Sequence, residues 1–351
     1  MKFKKFIILA ALLITVCFAF ILSANSTNKS SKIIVTPHLN QKMVKGKNLL
    51  YCSTFQMAWN ELKDKIVKED IKLVNEPPMV GILNKKYASK QDLSENSYVA
   101  TAGYGKENII NKINAALKSK FGTNAPKLKE VLMPDDAIAY AYLYKNLIFN
   151  PVFEEIKNPI KFDYAGVVKG FGIDKFEDKH KKIAEQITIP YYKNSNEFIV
   201  KLTPKGSNDE IFLAKIQPKD NLSDTLKYAQ SKINIFNNDY LEEGDTLQIP
   251  KFDFKIDHSY DELVGKRFLN RNFKNYIIAK AIQNTSFKLN EKGAILKSEA
   301  KIIMKLTCVP NQNQPKKLIF DKPFLIYLKE KRVINPYLVI WVDNTDLMVK
   351  K

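Results

Sequence analysis

Few residues in this chain stand at spacings that perform chemistry. The histidines are His38, His180 and His258 and the cysteines Cys17, Cys52 and Cys308, with no close Cys/His cluster of the kind that holds zinc. No nucleophile elbow is present. Asp135-Asp136 is the best carboxylate cluster, and adjacent carboxylates are more often a turn or helix-start feature than an acid/base pair. The glycines of Phe162 to Ile173 (Gly166, Gly170, Gly172) match neither a phosphate loop nor a dinucleotide fingerprint and read as turns. The sequence therefore predicts no catalytic residue, no metal and no cofactor. What stands out instead is a run after Gly293 that alternates as a strand does. Ala294, Leu296, Ser298, Ala300, Ile302 and Met304 would face one way, and Ile295, Lys297, Glu299, Lys301 and Ile303 the other. Beyond it Pro310 to Lys317, rich in Asn, Gln and Pro, reads as an exposed loop.

The elements that would position this run follow from periodicity. Phe55, Met57, Ala58, Trp59, Leu62 and Ile66, after Ser53 and Thr54, predict an early amphipathic helix with a polar N-cap. Glu107 to Phe121 predicts a second, stopped by Gly122, and Leu222 to Ile233 a third with Ser223 and Asp224 near its start. Ala137 to Phe149 is a buried apolar segment closed by Asn150-Pro151. Ile187 to Tyr192, Glu197 to Leu202 and Glu210 to Ile216 read as a meander, and Thr246 to Ile256 as a strand whose Pro250 marks an edge or a bulge. Helices concentrated in the first half and strands in the second predict an α+β architecture, with no linker dividing it.

Export is the clearest local signal. Lys2, Lys4 and Lys5 precede an apolar run over residues 6–22, so residues 1–26 read as a signal peptide or an N-terminal membrane anchor and 27–32 as a linker. Val16 occupies the position where a lipid-modified Cys17 would want a small residue. Cys52 and Cys308 remain, to pair only if their Cα atoms lie within about 7 Å, or to stay as free buried thiols. With 56 Lys+Arg against 37 Asp+Glu the net charge is +19 over 351 residues. Arginine is confined to Arg267, Arg271 and Arg332, which argues against specific nucleic-acid recognition and leaves attraction to an acidic surface. Membrane contact is expected only through the N-terminal segment, if uncleaved.

Several segments, in order, resemble landmarks of the serpins, the serine protease inhibitor superfamily. Leu247-Gln248-Ile249-Pro250-Lys251-Phe252 with Tyr260-Asp261-Glu262-Leu263 is similar to a family strand bearing Pro-Lys-Phe and the helix start after it. Ile278 to Phe287 with Asn290-Glu291-Lys292-Gly293 resembles the strand and Glu-x-Gly hinge at the base of the reactive loop. Phe320-Asp321-Lys322-Pro323-Phe324 looks like the strand after that loop, and Pro336-Tyr337-Leu338 opens the closing strand. The agreement runs from about Ile138 to Asn344. The stretch Glu76 to Met133 is shortened relative to the family, and Tyr51-Cys52-Ser53-Thr54 lacks the expected Ser-Pro.

The resemblance implies a serpin-like domain over residues 33–349, with N-terminal helices packed on large, mostly antiparallel sheets. It implies a reactive-loop hinge at Glu291, Gly293, Ala294, Leu296, Ser298 and Ala300, and a cleaved bond near Lys305, Leu306, Thr307 and Cys308. Lys305 suits a trypsin-like enzyme. A secreted or envelope serine or cysteine protease would be the partner, trapped when the cleaved loop adds to the main sheet. Family inhibitors favour small residues in the hinge. Leu296, Lys297 and Glu299 depart from this, and bulk at Leu296 is expected to oppose insertion. Two alternatives stay open: a strand that never leaves the sheet, and a non-inhibitory binding or scaffold protein at the cell envelope.

Overall fold

Strands that read as unbroken apolar runs must be buried on both faces, and the longest such runs here sit inside the largest sheet. The computed structural model describes residues 32–233, 239–296 and 315–351, with a compact unit over Ile33–Lys351. In chain order the strands are β1 (Ile33–Thr36), β2 (Asn48–Cys52), β3 (Tyr98–Tyr104), β4 (Ala137–Leu143), β5 (Lys145–Ile148), β6 (Glu154–Phe162), β7 (Gly166–Ile173), β8 (Ile187–Asn194) and β9 (Glu197–Leu202). They continue as β10 (Asp209–Lys215), β11 (Thr246–Pro250), β12 (Phe252–Ser259), β13 (Ile282–Asn290), β14 (Gly293–Leu296), β15 (Lys317–Ile319), β16 (Phe324–Glu330) and β17 (Leu338–Val342). The helices are α1 (Thr54–Glu61), α2 (Pro78–Leu83), α3 (Ile109–Phe121), α4 (Lys181–Ala184) and α5 (Leu222–Lys232).

A seven-stranded sheet has the order β1-β2-β17-β16-β10-β9-β8. Its central strands bury both faces: Phe324, Ile326 and Leu328 of β16 join the main core, while Leu325 and Tyr327 join the core beneath α5. Two four-stranded sheets follow, β15-β11-β7-β6 and β12-β13-β14-β5, with β3 and β4 as a separate antiparallel ribbon. Pairing is antiparallel except at β1/β2 and β11/β15 among the described residues. The fold is α+β, with helices early in the chain packed against large, mostly antiparallel sheets, as the pattern predicts.

Particular elements differ from expectation for physical reasons. Phe162 to Ile173 is not a run of turns, because β7 fills most of it and pairs with both β6 and β11. A Cβ on Gly172 would stand 2.0 Å from the Leu247 carbonyl oxygen, so glycine there allows close strand approach rather than a bend. Thr246 to Ile256 is two strands in two sheets. Pro250 is neither edge nor bulge but the last residue of β11, and the chain crosses to β12 at Lys251. Asp261 to Gly265 is a turn where the family pattern implied a helix start. The helix at Thr54 follows Ser53, whose side chain makes no cap hydrogen bond; the cap of α5 is Asn221, whose Oδ1 accepts from the Asp224 amide at 2.9 Å.

Candidate functional site

The chain from Phe287 to Leu296 forms a tight hairpin in the sheet of β12 and β13. β13 runs up to Asn290, Glu291 and Lys292 turn, and β14 descends between β13 and β5. Only glycine fits the start of β14. Gly293 has φ +147°, and a Cβ there would lie 1.9 Å from the Leu147 carbonyl oxygen. The register sets Ala294 opposite Leu289 and Leu147, and Ile295 opposite Lys288 and Asn146. Ala294 is 0% exposed and Leu296 6%, whereas Ile295 points outward at 41%, so the predicted alternation holds over these three residues, the rest of the run lying outside the described residues. The bulk of Leu296 does not keep it out of the sheet, because the main core takes the side chain in.

Two further contacts fasten the turn. The Phe149 amide donates to the Lys292 carbonyl and the Phe153 amide to the Glu291 carbonyl, both at 2.9 Å. Lys251 Nζ lies 2.7 Å from Glu291 Oε2 and also pairs with Glu155. Burial by itself would raise the Glu291 carboxyl, but the Lys251 charge and hydrogen bond outweigh it and hold it below the ordinary carboxylate value. For Lys251 burial acts to lower the ammonium, and the bonds to Glu155 and Glu291 overcome this and raise it.

A carboxyl held low stabilises fully above its unfolded value, about 4.3, and that stabilisation is lost as pH falls through the folded value. Amide exchange at Ala294, Ile295 and Leu296, corrected for intrinsic rate, is therefore expected to lose protection as pH drops from 5 to about 2.5. In Glu291→Gln this acid-linked loss should vanish. An equal loss in the variant would show that the Lys251 pair does not hold the hairpin.

Below Leu296 the line of β14 is bordered by two edges. β4, in line with β5, pairs only with β3, and β13 from Ile282 to Phe287 pairs only with β12, among the described residues. The Tyr144 amide bonds the Ser97 carbonyl, which fixes the β3/β4 ladder so that Ala139, Ala141 and Leu143 turn their backbone groups away from β3. On the inner side Gln283 bridges to the start of α1: its Nε2 donates to the Cys52 carbonyl and to Thr54 Oγ1, both at 3.0 Å, while Tyr260 donates to its Oε1 at 2.6 Å. Cys52 is a buried free thiol, pushed up by burial.

The chain re-enters the described region in a different sheet, and buried lysines anchor it there. The Lys316 amide donates to Asp245 Oδ1 at 2.5 Å, and its ammonium lies 3.6 Å from Asp245 Oδ2. Lys215 Nζ donates to the carbonyls of Ser195 (2.9 Å) and Ile319 (2.8 Å) and to Asp321 Oδ1 (2.5 Å).

Of the residues the sequence singled out, Glu291, Gly293, Ala294 and Leu296 meet in this hairpin. Ser298, Ala300, Lys305, Leu306, Thr307 and Cys308 lie outside the described residues, as do Cys17 and the N-terminal apolar run. Asp135 and Asp136 belong to a turn, Asp136 Oδ2 accepting from the Met133 amide and Asp135 pairing with Lys106.

Sequence reasoning missed a buried ionic cluster on the inner face beside β5. Lys145 Nζ lies 2.7 Å from Asp209 Oδ1 and 2.6 Å from Glu330 Oε1, and 4.9 Å from the centre of the Tyr337 ring. Tyr337 donates to Asp209 at 2.9 Å, and Ser94 donates to Glu330 through both its amide and its hydroxyl. The one signal was a lone lysine inside the apolar run Ala141 to Phe149.

No known family's sequence profile matches the chain, and no curated protein sequence matches it. Among solved structures it is similar, at 12% identity and over 85% of its length in each case, to Serpin48 of the insect Tenebrio molitor (92% of that chain, TM-score 0.43). The same identity and coverage of this chain hold for human thyroxine-binding globulin complexed with thyroxine (92%, TM-score 0.46) and a serpin from the trematode Schistosoma haematobium (94%, TM-score 0.47).

Proposed function

We propose that this chain is an exported serpin-like inhibitor of serine or cysteine endopeptidases, whose segment after Leu296 is bait and, once cut, becomes a strand between β4 and β13. The observation that carries the reading is the register. β14 has begun a strand between two edges that continue below it without a strand partner among the described residues. If the register of β14 were continued, Ser298 would fall opposite Thr285 and Leu143, and Ala300 opposite Gln283 and Ala141. These are the inward positions, where small side chains fit. Lys297 and Glu299 would face outward beside Ser286 and Asn284, both exposed, so neither charge would be buried.

Adding such a strand would supply two ladders of hydrogen bonds and cover part-buried apolar groups on β4. A protease acylated at the loop, near Lys305 to Cys308, would be carried along before it deacylates. Export through the Lys2, Lys4, Lys5 and apolar leader would place the protein where secreted or envelope proteases act, whether or not residues 6–22 remain as an anchor.

The test is incubation of the full chain with trypsin and with chymotrypsin. A covalent adduct resistant to denaturant is expected, together with a rise in melting temperature of about 10 °C or more after cleavage, the shift that several kcal/mol produces in a large domain. Cleavage with no adduct and no rise would remove the inhibitory reading and leave a binding or scaffold role at the envelope.

A further inference from the structure

A second sheet edge invites a strand from outside, and it does not depend on the loop. β3 pairs with β4 on one side only, and no strand borders its other side among the described residues. The ladder that joins Ser97 to Tyr144 continues in steps of two, so Val99, Thr101 and Gly103 bond inward to β4. Tyr98, Ala100, Ala102 and Tyr104 therefore turn their amide and carbonyl groups to the open edge. The ends of this edge are stoppered: Lys120 Nζ donates to the Tyr98 carbonyl at 3.0 Å, and Glu107 Oε2 accepts the Tyr104 amide at 2.9 Å. Ala100, between them, has no such stopper among the described residues and lines a groove of about 310 Å³.

The second wall of that groove is α3. Its apolar row Ile109, Ile113, Leu117 and Phe121 packs on the ribbon, which leaves Lys112, Ala116 and Lys120 in a line along the groove. Lys120 over the Tyr98 ring and Ile109 beside Gly103 show that the helix runs back along β3. Among the described residues Lys112 has no acidic partner, and Lys120 bonds only the carbonyls of Glu95 and Tyr98. Lys90, the third lysine lining the groove, shares Glu61 with Lys65, whose Nζ also donates to Thr101 Oγ1 at 3.1 Å, and Glu95 is the one carboxylate lining the groove among the described residues.

We propose that this edge captures an extended acidic peptide by strand addition, of the pattern acid–x–apolar–x–acid. Two lysines eight residues apart on a helix are separated by about 12 Å along its axis. Side chains four residues apart on a strand are separated by about 13 Å, so two carboxylates on one face of an added strand meet both lysines. Ala116, halfway between, leaves room for the apolar side chain. The ladder supplies affinity and the carboxylates select register. The occupant comes from another molecule, because residues 1–31 and 234–238 contain no acid and 297–314 only Glu299.

The probe is a fluorescein-labelled peptide, acetyl-Ser-Glu-Thr-Val-Thr-Glu-Ser-amide, titrated into the full chain at low salt. Two N-methylated versions accompany it, one blocked at the Glu and Val amides and the other at the Thr amides. Strand addition predicts measurable binding below about 1 mM, a loss of about tenfold or more for one methylated set, and little change for the other. Lys112→Glu should weaken binding about tenfold, while Lys127→Glu, on an exposed loop beyond α3, should leave it unchanged. Absence of binding up to that concentration overturns the proposal. So does equal sensitivity or equal indifference to the two methylated sets, which would mean that charge alone holds the peptide.

Discussion

Replacing Lys145 by methionine is expected to remove about 3–5 kcal/mol of unfolding free energy at neutral pH, the scale of breaking a buried ion pair from one side. Lys145 is 2% exposed as a side chain and its two carboxylate partners 3% and 5%, so no water takes the place of the lost ammonium. Methionine matches the lysine stem in length, which keeps the packing against Tyr337 and isolates the charge. Asp209 and Glu330 would then share one dry site with, among the described residues, only Ser94, Ser207 and Tyr337 donating to them.

The pH profile separates this cause from a cavity. In the parent protein burial by itself would raise Glu330, but the Lys145 charge and the Ser94 hydrogen bonds hold it below its usual value. Its stabilisation is therefore complete above the unfolded carboxyl value and lost as pH falls through the lower folded one. Without Lys145 burial is left to push the Glu330 carboxyl up instead. Stability of the variant then falls as pH rises through about 4–6, the opposite slope to the parent's. Urea midpoints at pH 4.5 and 7.5 decide it: a variant whose loss is the same at both would have lost packing alone.

The elements that could be read from sequence are those whose partners are close or whose pattern is regular. β8, β9 and β10 form the expected meander because each alternates or is uniformly apolar and each ends at a polar turn. The hairpin was also legible: the step from Asn290 through Gly293 combines a turn with a residue that must lack a side chain, and Ala294 to Leu296 keeps the strand period. Gly172 of β7 misled because its requirement is set by β11, about 75 residues later, and local pattern carries no trace of it. The Lys145 cluster was hidden for the same reason. Asp209 opens one strand and Glu330 closes another, and either reads as a solvated end until the sheet brings both beneath β5.

Ala294→Arg should drive β14 out of the sheet. Ala294 has no exposed surface, sits between Leu289 and Leu147, and belongs to the main core. No acidic side chain occupies those two cross-strand positions. A buried, unpaired guanidinium costs several kcal/mol, whereas β14 is a strand of four residues held mainly by its ladders and the Gly293 turn. Expulsion is the cheaper outcome, because it exposes little beyond Leu296 and leaves the core of the seven-stranded sheet intact. Amide exchange at Ile295 and Leu296 is then expected to rise by about a hundredfold or more, while β16 and β17 keep their protection. If the proposed trap operates, the same substitution turns the protein from inhibitor to substrate, since the strand must begin at this position before any later residue can follow. Protection at Ile295 that survives the arginine would mean that the turn and the Lys251–Glu291 pair, rather than the fit of Ala294, fix the hairpin.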